Sequence, residues 1–248
     1  MKENTRFLIV CTGHNCAPFI ARCVDSIKKQ TYDNYDYVIV DDASTDNSME
    51  LLYNLVPHDK LISLNTRMGT VKAHDIGIRS FAVTGGEVVV WLDLDDQLLQ
   101  CALHKAAEAY QEDSAVWLTY GNYIDHDGLV CFNKYTINFP DEVHEANAYR
   151  QADWKYVHLR TFKLALYMQL TDADLYLPDY IKAYIDYNIW ICLMELAGKD
   201  HMRGIVDVLY YYNNMNPSNL LRSYAPNQLD MEREFCKKIT PKQKLEIL

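Results

Sequence analysis

Four short apolar runs constrain this chain more than any other feature: Phe7-Leu8-Ile9-Val10-Cys11, Tyr37-Val38-Ile39-Val40, Leu61-Ile62-Ser63-Leu64 and Val88-Val89-Val90-Trp91-Leu92. A strand that is apolar at consecutive positions is buried on both faces, which implies a parallel sheet covered by helices on either side. The stretches between the runs have helical period. Phe19, Ile20, Cys23, Val24 and Ile27 recur at that spacing behind Pro18, a residue suited to a first turn. Ser44-Thr45-Asp46-Asn47 offers capping side chains ahead of Met49, Leu52, Leu55 and Val56. A third helix is expected from about Thr70 to Val83, stopped by Gly85-Gly86. This alternation predicts a doubly wound α/β half over about residues 5 to 95.

Beyond Gln97 the pattern predicts an amphipathic helix to about Glu112, a strand over 115–124 and a turn at His126-Asp127-Gly128. Fourteen of the nineteen tyrosines lie from Tyr120 onward. They form either an aromatic core or a surface on which a sugar ring stacks by its apolar face. No linker or repeat separates the halves, so one compact unit is expected. The tail after Leu220 reads as basic and helical, packing on the domain, contacting a partner or leading into a further domain.

Charge and punctuation exclude several functions. With 24 basic against 34 acidic residues the net charge is −10, so phosphate backbones and anionic membranes repel the chain and nucleic-acid binding is not expected. No segment has the roughly eighteen apolar residues of a membrane span, and the first run is too short for a signal peptide. The seven cysteines include no C-x-x-C pair and read as reduced core residues. A cytoplasmic protein is expected. The absence of G-x-S-x-G, P-loop and G-x-G-x-x-G patterns argues against hydrolase, kinase and dehydrogenase chemistry.

In an open α/β sheet, ligands bind beyond the carboxyl ends of the strands. Here those ends read Thr12-Gly13-His14-Asn15, Asp41-Asp42 and Asp93-Leu94-Asp95-Asp96. Two ionised carboxylates about 4 Å apart repel by roughly 4 kcal/mol at an effective dielectric near 20. The last cluster is therefore either a solvated acidic turn capping the next helix, or a site for Mn2+ or Mg2+ completed by substrate phosphates.

The order of Asp41-Asp42-Ala43-Ser44-Thr45-Asp46 after a second strand and a Leu-Asp-x-Asp-Asp strand end about fifty residues later resembles the inverting glycosyltransferases of family 2, with a GT-A fold. Ser26-x-x-x-Gln30-Thr31-Tyr32 is similar to that family's S-x-x-x-Q-T-Y/F segment, Ile185-Asp186-Tyr187-Asn188-Ile189-Trp190 to its E-D-x-x-L-W box, and Gly198-Lys199 with Leu209-Tyr210-Tyr211-Tyr212 to its closing strand. The resemblance implies a single Rossmann-like GT-A domain with a mostly parallel central sheet flanked by helices. Its nucleotide-sugar half is 1–97, its acceptor and catalytic half 98–220, and 221–248 is a helical tail.

The resemblance also implies the site. Thr12 and His14 flank the nucleotide base, Asp42 accepts a base N–H and so favours uracil, and Asn15, Asp41, Asp93 and Leu94 complete the donor contacts. Asp93 and Asp95 form the D-x-D metal pair, with Asp96 in support. Asp186 is the general base, taking the acceptor hydroxyl's proton on the face opposite the diphosphate; read alone, it is equally an acid favoured by a helix N-terminus. The partners implied are a UDP-sugar donor and a hydroxyl acceptor on a glycan or glycoconjugate.

Three departures stand against this pattern. The family's Arg-Asn pair is His74-Asp75, leaving Lys72 or Arg67 as a cation for the donor or as solvated helix residues. The glutamate before the base is Ile185, and a histidine after the closing strand is Met215. Asn213 to Asn219 reads as a polar lid over the diphosphate or a plain turn-rich loop. The rival reading is a transferase-like module that binds a sugar nucleotide or glycan without catalysis.

Overall fold

The computed structural model describes residues 5–81, 86–125, 130–131, 139–152, 158–178, 185–216 and 226–246. Nine strands among them form one sheet: β1 (Phe7–Gly13), β2 (Tyr35–Asp41), β3 (Leu61–Ser63), β4 (Val88–Asp93), β5 (Gln97–Leu98), β6 (Leu118–Asp125), β7 (Val130–Cys131), β8 (Thr161–Lys163) and β9 (Met202–Tyr212). Their order is β3-β2-β1-β4-β8-β6-β9-β5, with β7 on β6. The first four run parallel, as the apolar runs require. β8 then lies antiparallel between β4 and β6, and β9 returns parallel to β6.

Consecutive residues of β1 go to opposite faces. Leu8 and Val10 join a core with Trp91, Trp190 and Phe162, while Phe7, Ile9 and Cys11 join a second core with Ile20, Val24 and Leu103. Each fully buried aliphatic or aromatic side chain contributes about 1.5–3 kcal/mol relative to exposure, so a half-polar strand here would lose one of the two helical layers. Three helices, α1 (Ile20–Lys28), α2 (Ser48–Leu55) and α4 (Ala102–Glu112), supply residues to the second core. α3 (Thr70–Ser80) supplies Val71 and Ile78 to the first. A Cβ on Gly77 of α3 would stand 2.5 Å from Val10 Cγ1, so only glycine allows this helix its distance from β1.

The second half adds α5 (Asp141–Glu145), α6 (Leu164–Tyr167), α7 (Asp172–Leu175), α8 (Ile185–Ala197) and α9 (Pro226–Lys237). The C-terminal segment packs on the domain. Cys236 is buried in the first core, Lys242 N donates to Glu195 at 2.9 Å, and Leu245 N donates to Leu196 O at 2.8 Å. Behind α8, buried Arg150 pairs with Glu195 at 2.7 Å and donates to Asn188 at 2.7 Å.

Some expected boundaries move. α3 stops at Ser80 rather than near Val83, because Phe81 turns extended and packs against the first core; Val83 and Gly85 lie outside the described residues, as does the turn at His126. Asn47 makes no side-chain cap on α2, and Asp46 accepts Ser48 N at 2.9 Å instead. β6 begins at Leu118, since Ala115 N is held in a turn by Asp113. Six cysteines among the described residues are free thiols, and all but Cys101 are buried. No helix among the described residues is long and apolar enough to cross a membrane.

Candidate active site

The parallel register brings the polar strand ends together. Thr12 pairs with Asp93 and Gly13 with Asp41, and the chain continues this contact through Leu94 N to Thr12 O and Asp42 N to Gly13 O, both 2.8 Å. A Cβ on Gly13 would stand 2.5 Å from that of Leu94, so this crossing excludes larger residues. Asn15 cross-links the two loops: its Oδ1 accepts from Thr45 N at 2.7 Å and its own N donates to Ser44 Oγ at 2.8 Å. His14 donates from Nδ1 to Asp42 O at 2.9 Å.

The first acid pair holds loops. Asp42 accepts Met68 N at 2.6 Å and Gly69 N at 2.8 Å, one on each oxygen. Asp41 accepts Ser44 N at 3.0 Å, while its Oδ1 is buried with no hydrogen-bond partner. Leu94 is a core residue, so its contribution to the site is main chain.

The second cluster divides by role. Asp96 is buried, accepting from Tyr210 Oη at 2.6 Å and Asn213 N at 2.7 Å. Asp95 accepts Asn216 Nδ2 at 2.7 Å, and burial raises its pKa while Asn216 and Arg22 oppose the rise. Burial first, then repulsion from Asp95 and Asp186, pushes Asp93 up to about 7, with Arg160 opposing. Among the described residues no three His, Cys, Asp or Glu side chains converge into a ready-made cage. The oxygen pair Asp93 and Asp95, held at the sheet edge and repelling each other, nevertheless suits a hard divalent ion that takes its other ligands from substrate and water.

Asp186 opens α8 on the same side. Its carboxylate raises the pKa of Asp93, and burial raises its own. Arg160 Nη1 lies 3.9 Å from Asp186 Oδ2. Arg160 belongs to no sequence motif, and its neighbour His158, lacking metal-ligand spacing, reads from sequence as a surface or core-satisfied histidine. A His-x-Arg step before a short apolar strand is a weak local signal, and only the pairing of Val90 with Thr161 brings it to the site.

Other expected residues are occupied elsewhere. His74 is buried, stacked on Trp91 with centroids 3.6 Å apart, its Nδ1 2.9 Å from Thr12 Oγ1. Burial lowers its pKa to about 3, against the opposing bonds to Thr70 O and Leu92 O, so it is a core group and no substitute for an arginine reaching the donor. Asp75 binds Arg79 and the hydroxyls of Tyr167 and Tyr176. Lys72 lies over the Tyr176 ring at 5.3 Å, and Arg67 is exposed. The Ser26 to Tyr32 segment is structural: Ser26 Oγ accepts Leu98 N, and Gln30 bonds Leu99 O and Leu103 N, fixing the chain after the acidic turn. Met215 is exposed, and Pro217 to Asn219 lie outside the described residues.

A family model described as glycosyl transferase family 2 matches residues 8–162. The glycosyltransferase GlyG of Streptococcus pneumoniae serotype 4 is 30% identical over 168 residues, 63% of this chain and 55% of GlyG. The chain thus spans about half the length of that relative. Among solved structures, residues 1–349 of S. aureus TarS in complex with UDP-GlcNAc align with a TM-score of 0.67 at 18% identity, covering 89% of this chain and 62% of that one. The mannosyltransferase PcManGT from Pyrobaculum calidifontis, in complex with GDP-Man and Mn2+, gives 0.55 at 20% identity, covering 87% and 59%. At these identities the two structures speak for the fold alone.

Proposed function

This chain belongs to glycosyl transferase family 2, and we propose that it transfers a sugar from a UDP-sugar to a hydroxyl of a glycan or glycoconjugate, with inversion and with Mn2+ or Mg2+ bound. The observation that carries the reading is that acids from distant parts of the chain are gathered together: Asp93 and Asp95 lie at and just beyond the end of β4, β4 pairs with β8, and Arg160 just before β8 stands 3.9 Å from Asp186 on α8. The complexes of TarS with UDP-GlcNAc and of the mannosyltransferase with GDP-Man and Mn2+ support a nucleotide-diphosphate sugar as the donor class.

In this reading residues 1–97 bind the donor. Thr12, His14, Asn15 and Asp41 line the nucleotide with Asp42, whose oxygens keep lone pairs beyond those taken by Met68 N and Gly69 N. Asp93 and Asp95 hold the metal ion, which when bound neutralises charge on the departing diphosphate. Leu94 contributes its main chain, and Lys72 stands in the first turn of α3 as a further cation. Residues 98–220 carry the acceptor side, where Asp186 takes the proton of the attacking hydroxyl at Oδ2. The test is UDP release from UDP-GlcNAc and UDP-glucose with Mn2+. Loss of release in both Asp95→Ala and Asp186→Asn is expected; donor binding without release in the unaltered protein would instead make it a binding module.

A further inference from the structure

Arg160 belongs to none of the motifs legible in the sequence, yet it is only 4% exposed and brings a positive charge to the carboxylates of Asp93 and Asp186. Burying a guanidinium is costly unless its surroundings answer it, so those surroundings indicate its use. Nη2 donates to His158 Nε2 at 3.0 Å. Arginine has no acceptor, so that histidine nitrogen carries the lone pair and the ring is neutral. The guanidinium lies over the ring of Trp190 at 4.8 Å, and Trp190 is wedged between Trp91 and Phe162, at centroid distances of 5.6 and 5.3 Å.

Trp190 and Asp186 are one turn apart on α8, at positions that share a helix face. The face that fixes the guanidinium therefore also carries the carboxylate it meets. At 3.9 Å from Nη1, Asp186 Oδ2 is within ion-pair reach but beyond a hydrogen bond. Asp186 Oδ1 is turned back onto Tyr187 N at 2.7 Å. Oδ2 is thus oriented by charge while its lone pairs stay open to a proton.

Resting on the reading of Asp186 as the base, we propose that Arg160 is a positioning residue for it. Held by His158 and Trp190, its cation aims Asp186 Oδ2 at the acceptor hydroxyl and does not contact the donor diphosphate. The experiment sets steady-state UDP release from UDP-GlcNAc and UDP-glucose, with Mn2+ and water as acceptor, against UDP affinity in Mn2+ by calorimetry. Arg160→Gln is expected to lower kcat about a hundredfold, with the KM for donor and the Kd for UDP within about threefold of the unaltered protein. Arg160→Lys keeps the charge without the planar fork and is expected to recover part of kcat. Placed in the Asp186→Asn background, Arg160→Gln should cost nothing further, because a residue acting through another has nothing left to act on. Multiplying losses, a weakening of UDP binding as large as the loss of kcat, or an unchanged kcat would each overturn the proposal. Turnover that survives Asp186→Asn would remove the base reading itself, in a variant where Arg160 is intact, so the two failures are told apart. If the glutamine variant does not fold, the lysine variant carries the same comparison of kcat with KM.

Discussion

The hydroxyl of Tyr210 donates to Asp96 Oδ2 at 2.6 Å across 114 residues of sequence, fastening the acidic turn after β4 to the strand that closes the sheet. Asn213 N occupies the other oxygen at 2.7 Å. Burial, then repulsion from Asp95 and Asp93, pushes the Asp96 carboxyl well above the usual range, and these two hydrogen bonds oppose the shift. Asp96 is a structural acid, and its neighbours Asp93 and Asp95 are left to face the site.

Tyr210→Phe removes one of those bonds and leaves a buried carboxyl oxygen unanswered. A loss of about 1–3 kcal/mol in unfolding free energy is expected, read by urea denaturation. Affinity for UDP in Mn2+ should fall with it, because the turn that carries Asp95 loosens.

Asp186→Asn keeps the shape of the side chain and removes its basicity. UDP release should drop by about 10²–10⁴-fold, while UDP binding with Mn2+, measured by calorimetry, stays near that of the unaltered protein. Equal loss of binding and turnover would assign Asp186 to donor contact.

Asp93 carries a pH signature. Its folded pKa, raised to about 7, lies above an unfolded value of about 3.9, so the native state binds more protons between those values. Metal-free stability therefore falls as pH rises from about 4 to 7 on this group's account. Asp93→Asn should be more stable than the unaltered protein by about 1–3 kcal/mol at pH 8, with the difference vanishing near pH 4. Mn2+ competes with the same proton, so its affinity in the presence of UDP should increase between about pH 6 and 8.

His74 has the opposite sign. Its folded pKa, near 3, lies below the unfolded value of about 6.5, so its contribution is complete above about pH 6.5 and is lost as pH falls toward 3. His158, also lowered by burial, adds in the same direction. The measurement is thus a difference: thermal midpoints of His74→Gln should show a shallower decline between pH 6.5 and 4 than those of the unaltered protein.

Arg150→Met leaves Glu195, on α8, buried without its ion-pair partner. Breaking a buried pair from one side costs about 3–5 kcal/mol, and the C-terminal segment should detach first, because Lys242 N also binds Glu195. Earlier proteolysis within 226–246 than elsewhere would report it.

The clustering of the candidate site's strand ends was legible because it is local. Thr12, Asp41, Asp42, Asp93 and Asp95 end strands whose apolar runs are unmistakable, and parallel pairing sets such ends side by side. The roles of their neighbours were harder to read. His74 stands where the family pattern has arginine, and nothing in the sequence near it shows that Trp91, Thr12 and Leu92 O enclose the ring. The Ser26 to Tyr32 segment was recognisable as a motif, but its work of bonding Leu98, Leu99 and Leu103 appears only when α1 is seen against the chain after Asp96.

Residue order alone was enough for the α/β class and for the gathering of polar strand ends at one edge of the sheet, since burial on both faces writes itself into consecutive apolar residues and chain direction fixes which ends are carboxyl ends. The mixed half was decided by folding: β8 pairs antiparallel with β4, and β9 parallel with β6. Those long-range pairings have no periodicity of their own, and they bring Arg160 to Asp186 and Tyr210 to Asp96.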